Sequence, residues 1–235
     1  MPSLRNLLIT ACLLVAGVCM HAQQAAGPPS PPTVVFKFTW DKGLPWSDYT
    51  FTVNESGATH FKGTGNTSES GDNDTFEQDF AMSEADLQQI FQAAKATDYF
   101  QGQFETKTKN VAKTGLKTLA FHGPSLDTST TYNYSPNPSI QQLTKLFQSI
   151  ATTIDYGRKL SFQYRFDKLG MDSRLKELVD LHASGMAEEI QVIAPILRKI
   201  ADDDGVMHLA RLQARQLLKS TNPVAATSKP ASAQP

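Results

Sequence analysis

The chain has 235 residues, with 22 Lys and Arg against 23 Asp and Glu and a formal net charge of −1. Charges of both signs are interspersed. That excludes the basic footprint of a nucleic-acid-binding protein and a polybasic attachment to anionic lipid.

Residues 1–22 have the three parts of a secretory signal peptide: Arg5, an uncharged apolar core from Leu7 to Val18, and compact residues ending at His21-Ala22. Cleavage is expected after Ala22. Two other readings stay open. A retained anchor needs roughly 18 apolar residues, and this core has about 12. A lipoprotein needs a Cys just after the core, and Cys19 stands there, behind Ala16-Gly17-Val18. Both cysteines, Cys12 and Cys19, lie in this segment. The mature chain would hold no disulfide, thiol nucleophile or Cys-ligated metal. The localisation expected is periplasmic or extracellular, or lipid-anchored through Cys19. No other stretch is long and apolar enough to span a bilayer.

Residues 23–33 form a Pro-rich linker containing GPPSPPT. Strand signals follow. Val34 to Trp40 alternates, with Phe36, Phe38 and Trp40 on one face, and Tyr49 to Val53 alternates equally. Asn54 to Gly57 is turn chemistry, and Ala58 to Gly63 returns as the second arm of a hairpin. Gly63 to Asp74 is expected to be a polar loop and Thr75 to Phe80 a further strand. The period then becomes helical. Ser83 is placed as an N-cap with Asp86 completing a capping box, ahead of Leu87, Ile90, Phe91 and Ala94. Lys107 to Gly115 reads as a loop. Strands at Leu116–His122 and Thr128–Tyr134 come next, then a helix opened by Pro138, with Ile140, Leu143, Phe147, Ile150 and Ile154 as its apolar stripe.

From Tyr156 onward only helical signals appear. The helix is expected to continue through Arg158–Leu169. Asp172-Ser173 should cap another, with Leu175, Leu178 and Val179 inward and Gly185 closing it. Met186 to Ala201 carries an apolar stripe in which Pro195 should introduce a kink. Val206, Leu209, Ala210, Ala214 and Leu217 line the last helix. Residues 220–235 are low-complexity and expected to be disordered.

The expected architecture is α+β. An antiparallel sheet with two helices on one face (34–155) is followed by an all-helical extension (156–219). Over 34–155 the element order resembles a bacterial domain family of unknown function found in secreted proteins and lipoproteins. The resemblance rests on Tyr49 to Val53 with Gly57 and Phe61-Lys62-Gly63, on Ser83, on Asp98-Tyr99-Phe100 and on Tyr132-Asn133-Tyr134. The family's Cys-Pro before the second strand is here Trp46-Ser47, and its Asp before the fifth is here Thr114-Gly115. The resemblance implies a fold and an exported compartment but no activity. Residues 171–219 resemble a HEAT-type helical pair. A solenoid needs about three repeats, so these helices should pack on the first domain or on another chain.

No set of residues converges by spacing on a reaction. His60, His122, His182 and His208 are not at metal-ligand spacing. Asp202-Asp203-Asp204 lacks the alternation of a calcium loop and suits a helix N-terminus. Gly63-Thr64-Gly65 lacks the Gly-Lys-Ser/Thr of a phosphate loop, and neither G-x-S-x-G nor S-x-x-K occurs. No catalytic residue, metal ligand or cofactor is therefore assigned. Trp40, Leu44 and Trp46 flank or lie in one loop. They form either a partner surface or, for the two Trp residues, caps on the core. The reading that follows is a non-catalytic binding or scaffolding module with a protein partner. The alternatives are a hydrolase with scattered residues, and an inhibitor or assembly factor acting through the C-terminal helices.

Overall fold

The computed structural model describes residues 31–40, 45–66 and 73–221. The expected signal segment and most of the linker fall outside these residues, as do Leu44 and the tail beyond Thr221.

Alternating sequences build a six-stranded antiparallel sheet. Its strands are β1 (Thr33–Thr39), β2 (Asp48–Asn54), β3 (Ala58–Asn66), β4 (Asn73–Ala81), β5 (Leu116–His122) and β6 (Asp127–Tyr132), in the order β4-β3-β2-β1-β5-β6. The register sets Phe36 opposite Phe51 and Leu119, and Phe51 opposite Phe61, so the buried side chains share one face. The other face is polar. It carries cross-strand pairs such as Lys62–Glu77 and His60–Asp79, each 2.7 Å apart. At the β2–β3 turn the Asn54 side chain accepts from the amides of Ser56 and Ala58.

β3 and β4 are longer than expected, with pairing through Gly63↔Phe76 and on to Asn66↔Asn73. The glycines there serve packing rather than a loop. A Cβ on Gly63 would lie 2.7 Å from the Trp46 ring, so only glycine lets the indole lie across the strand.

Two helices cover the apolar face. α1 (Glu84–Ala96) is capped by Ser83, whose side chain accepts from Asp86 N. A left-handed turn at Asp98–Phe100 follows and drives Phe100 into the core. α2 (Pro138–Phe166) is one continuous helix of 29 residues. Asn137 caps it by accepting from Ser139 N and Ile140 N, and Pro138 occupies its first turn. The first half of α2 packs on the sheet, with Phe147 stacked on Phe36 at 4.8 Å between centroids. The second half buries Tyr156 and Leu160 in a separate aliphatic core. The expected boundary at 155–156 thus falls within a helix that serves both cores.

The extension contains α3 (Met171–Ala183), α4 (Ala194–Asp202) and α5 (His208–Ser220). Three expectations are corrected here. α3 starts at Met171, without a side-chain cap from Asp172 or Ser173, because Met171 is fully buried and draws the first turn inward. Residues 186–201 are not one kinked helix. A short 3-10 turn at Ile190–Ile193 leads into α4, and Pro195 sits in its first turn, where its missing N–H costs no hydrogen bond. Met186 is exposed, while Ala187 and Glu189 turn inward. Leu209 also faces out, and α5 packs through Ala210, Ala214 and Leu217. Among the described residues no helix is long and apolar enough to cross a membrane.

Candidate ligand-binding groove

Trp46 is only 4% exposed, and its indole N–H donates to Ala151 O on α2. Trp40 is half-buried against the sheet core. Of the three residues expected to form either a partner surface or caps on the core, Trp46 is a cap, and Leu44 lies outside the described residues. Trp46 caps the core, because the glycines of β3 leave its ring room to lie flat.

What Trp46 does support is Arg158. The guanidinium of Arg158, on the second half of α2, lies 4.4 Å from the Trp46 ring centre and 5.2 Å from that of Phe76 on β4. The two rings adjoin each other, 6.2 Å apart, and contacts of this kind are worth about 0.5–2 kcal/mol. Arg158 Nη1 is nevertheless buried with no hydrogen-bond partner among the described residues. Burial lowers the pKa of the group, and Asp155 and Asp74 act in the opposite sense. Asp155 itself is engaged by Lys159 at 2.6 Å. An unpartnered buried donor costs about 1–3 kcal/mol, and more when it is charged.

Arg158 lies in the wall of a groove of about 450 Å³. β4 contributes Phe76 and Gln78, and α2 contributes Ile154, Gly157, Arg158, Ser161 and Arg165. Arg158, Ser161 and Arg165 share one helical face by their spacing of three and seven. The opposite wall is Val192, Ile193, Pro195, Ile196 and Lys199. Phe162, Tyr164 and Phe166 stand at the rim, and Phe166 is 71% exposed. The lining carries three cations and no carboxylate. Gly157 sets its width, since a Cβ there would meet Ile193 Cγ2 at 2.3 Å.

The opposite wall is held by a cluster of polar bonds around Glu189. This residue has a left-handed backbone (φ 56°) and a carboxylate that accepts from Ser83 N at 3.0 and 3.2 Å. It therefore takes the position that a capping box would give to Asp86. Gln191 donates to the same carboxylate. Thr153 on α2 donates to Glu188 O at 2.6 Å, and Gln78 on β4 donates to Val192 O at 3.0 Å. Burial and then the hydrogen-bonded Asp86 push the Glu189 carboxyl up to about 7.

A second polar cluster surrounds Lys117, which points inward from β5. Its Nζ donates to Thr114 O, Thr114 Oγ1 and Asn133 O at 3.1, 2.7 and 2.7 Å. Burial lowers its pKa to about 8. The contact with Thr114 Oγ1 has the form of a hydroxyl–lysine pair. However, an ammonium has three N–H donors and all three are in use, so Lys117 acts as a bolt between strands. His60 and His122 pair with Asp79 and Asp127 on the exposed face, and His182 Nδ1 bonds Ala187 O. Asp203 pairs with Lys168 at 2.6 Å and accepts from Gly205 N, while Asp204 pairs with Arg211. Among the described residues no group of three or more His, Cys, Asp or Glu is placed to hold a metal ion.

Arg158 and Glu189 were not singled out by sequence reasoning. The signal for Arg158 was the aromatic and basic run from 158 to 166, whose aromatics fall off the apolar stripe of the helix. Glu189 gave no signal, because the amide it caps, Ser83 N, is 106 positions away. No protein-family model matches the chain, and no curated protein matches it.

Proposed function

We propose that this chain is an exported, non-catalytic binding module whose ligand or partner segment lies in the groove between β4, α2 and α4. Export is supported by the composition of residues 1–22 and by the resemblance of 34–155 to a family of secreted proteins and lipoproteins. The observation that carries the binding reading is the Arg158 guanidinium. It rests against two adjoining aromatic rings at the wall of a groove whose lining also holds Arg165 and Lys199 and no carboxylate. Three cations gathered on one groove without a lining carboxylate repel one another, and an anionic ligand would offset that repulsion.

Native mass spectrometry of protein purified from the exported fraction tests the reading. The expected mass starts at Gln23 and carries a non-covalent adduct that is lost in Arg158→Ala. A chain that retains Met1 would overturn the export reading. Adduct-free spectra for wild type and variant alike, or turnover of generic ester, peptide or glycoside substrates, would overturn the binding reading.

A further inference from the structure

The geometry points to a single-chain carboxylate amphiphile as the occupant of this groove, with its carboxylate on Arg158 and its alkyl chain along Phe76, Ile196 and Phe162. The inference rests on the binding reading above and specifies its ligand.

Charge complementarity carries the head group. Arg158, Arg165 and Lys199 line the groove, and its lining holds no carboxylate, although Asp155 and Asp74 act on Arg158 from outside it. A guanidinium presents a planar fork that fits a carboxylate with two parallel hydrogen bonds. The rings of Trp46 and Phe76 hold the Arg158 group against the β4 side of the groove. Ser161, one turn along α2, keeps its hydroxyl proton on Gly157 O, so the cations alone carry the head group.

The tail follows from the remaining lining, which is largely aliphatic and aromatic. A volume of about 450 Å³ lies within the roughly 300–1,000 Å³ typical of small-molecule sites. The groove is open to solvent along the Phe162–Phe166 rim, and both rings are exposed (44% and 71%). Exposed rings beside a cationic groove can close over an alkyl chain and shed water.

The test uses the mature chain and three probes: dodecanoate, the neutral dodecanol, and vesicles of phosphatidylglycerol. Binding is read by displacement of the fluorescent fatty acid cis-parinaric acid and by co-sedimentation for the vesicles. Dodecanoate should bind at least roughly tenfold more tightly than dodecanol, in line with the value of a charge-assisted hydrogen bond. Arg158→Ala should remove that difference while leaving dodecanol binding unchanged. If the alanine variant loses its circular dichroism spectrum, Arg158→Gln is used instead, because it keeps a planar polar group against Trp46. Phe166→Glu, a change at an exposed rim position, should weaken both alkyl probes.

Equal binding of dodecanoate and dodecanol would overturn the ligand class, as would dodecanoate binding that survives loss of Arg158. Vesicle binding without binding of free dodecanoate would also overturn it. If Phe166→Glu still weakens binding in those cases, the groove reading survives and only the carboxylate assignment falls. If neither the Arg158 nor the Phe166 variant changes any binding, both readings fall.

Discussion

The sheet region and the helical extension bury their side chains differently. The core beneath the sheet is aromatic, with Phe36, Phe51, Phe61, Phe100 and Phe147 all fully buried. The core of the extension is aliphatic, built on Leu160, Leu175, Leu178, Leu197 and Ile200. The extension is not short of aromatics, but Phe162 and Phe166 are exposed and pack on each other at 4.9 Å. Rings left outside next to a well-filled core do little for stability, and they lie beside a groove that gathers three cations. The contrast separates side chains that hold the fold from side chains kept for contact with something else.

The largest effects should come from truncating either core. Phe147→Ala should cost about 3–5 kcal/mol and Leu197→Ala about 2–5 kcal/mol. Because α2 runs through both cores, each variant should lower a single calorimetric transition. Two separate transitions in Leu197→Ala would show that the extension melts alone and would break the picture of a shared helix.

A smaller loss is expected where the two regions touch. Gly157→Ala adds a better helix former, yet its Cβ would collide with Ile193 Cγ2. Overpacking should win, at about 1–3 kcal/mol. The second-site change Ile193→Ala should recover part of the loss in chemical denaturation. Additive losses would mean that Ile193 does not limit the approach to Gly157.

The sheet was legible in the sequence because alternation is a local property. Phe36, Phe38, Tyr49, Phe51 and Val53 state their face without reference to anything distant, and Ser83 and Asn137 cap helices through neighbours two or three residues on. The extension was less legible where tertiary contacts outweigh local pattern. Pro195 fits a first turn as well as it disrupts a middle one, and only the inward turn of Ala187 and Glu189 decides between them. Gly63 resembles a loop glycine until Trp46 lies over it. The groove needs α2 and α4 side by side, and their facing residues are about forty positions apart, beyond what periodicity can report.

The contact between the regions should also respond to pH. The Glu189 carboxyl, at about 7 in the folded protein, is raised above its ordinary 4.5 by burial and by Asp86. The native state therefore holds a proton that the unfolded chain releases between those values. The stabilisation is complete below the unfolded value and is lost as pH rises through about 7. Glu189→Gln keeps a carbonyl for Ser83 N and an amide for Asp86. It should flatten the stability profile between pH 5 and pH 8 without lowering the acid limb, as read by urea midpoints. A wild-type profile that rises across that window would show that Glu189 is not the group responsible.

The smallest expected effect compares two left-handed residues, one in each region. Asp98 has φ 50° and Glu189 has φ 56°. Left-handed backbone costs roughly 1–2 kcal/mol for a residue with a Cβ, and glycine removes that cost while adding about 0.5–1 kcal/mol of chain entropy. Asp98 is exposed, so Asp98→Gly should stabilise by at most about 1 kcal/mol, a rise in Tm of roughly 2–4 °C. Asp98→Val, branched at Cβ, should lower Tm. The same backbone relief in Glu189→Gly should be outweighed by loss of the carboxylate that receives Ser83 N. Opposite signs for the two glycine variants would show that the strain at Asp98 serves only to turn the chain, whereas the strain at Glu189 is retained for the bond it places. Equal and positive shifts would mean that the Glu189 contact contributes little and that the extension is held by its packing alone.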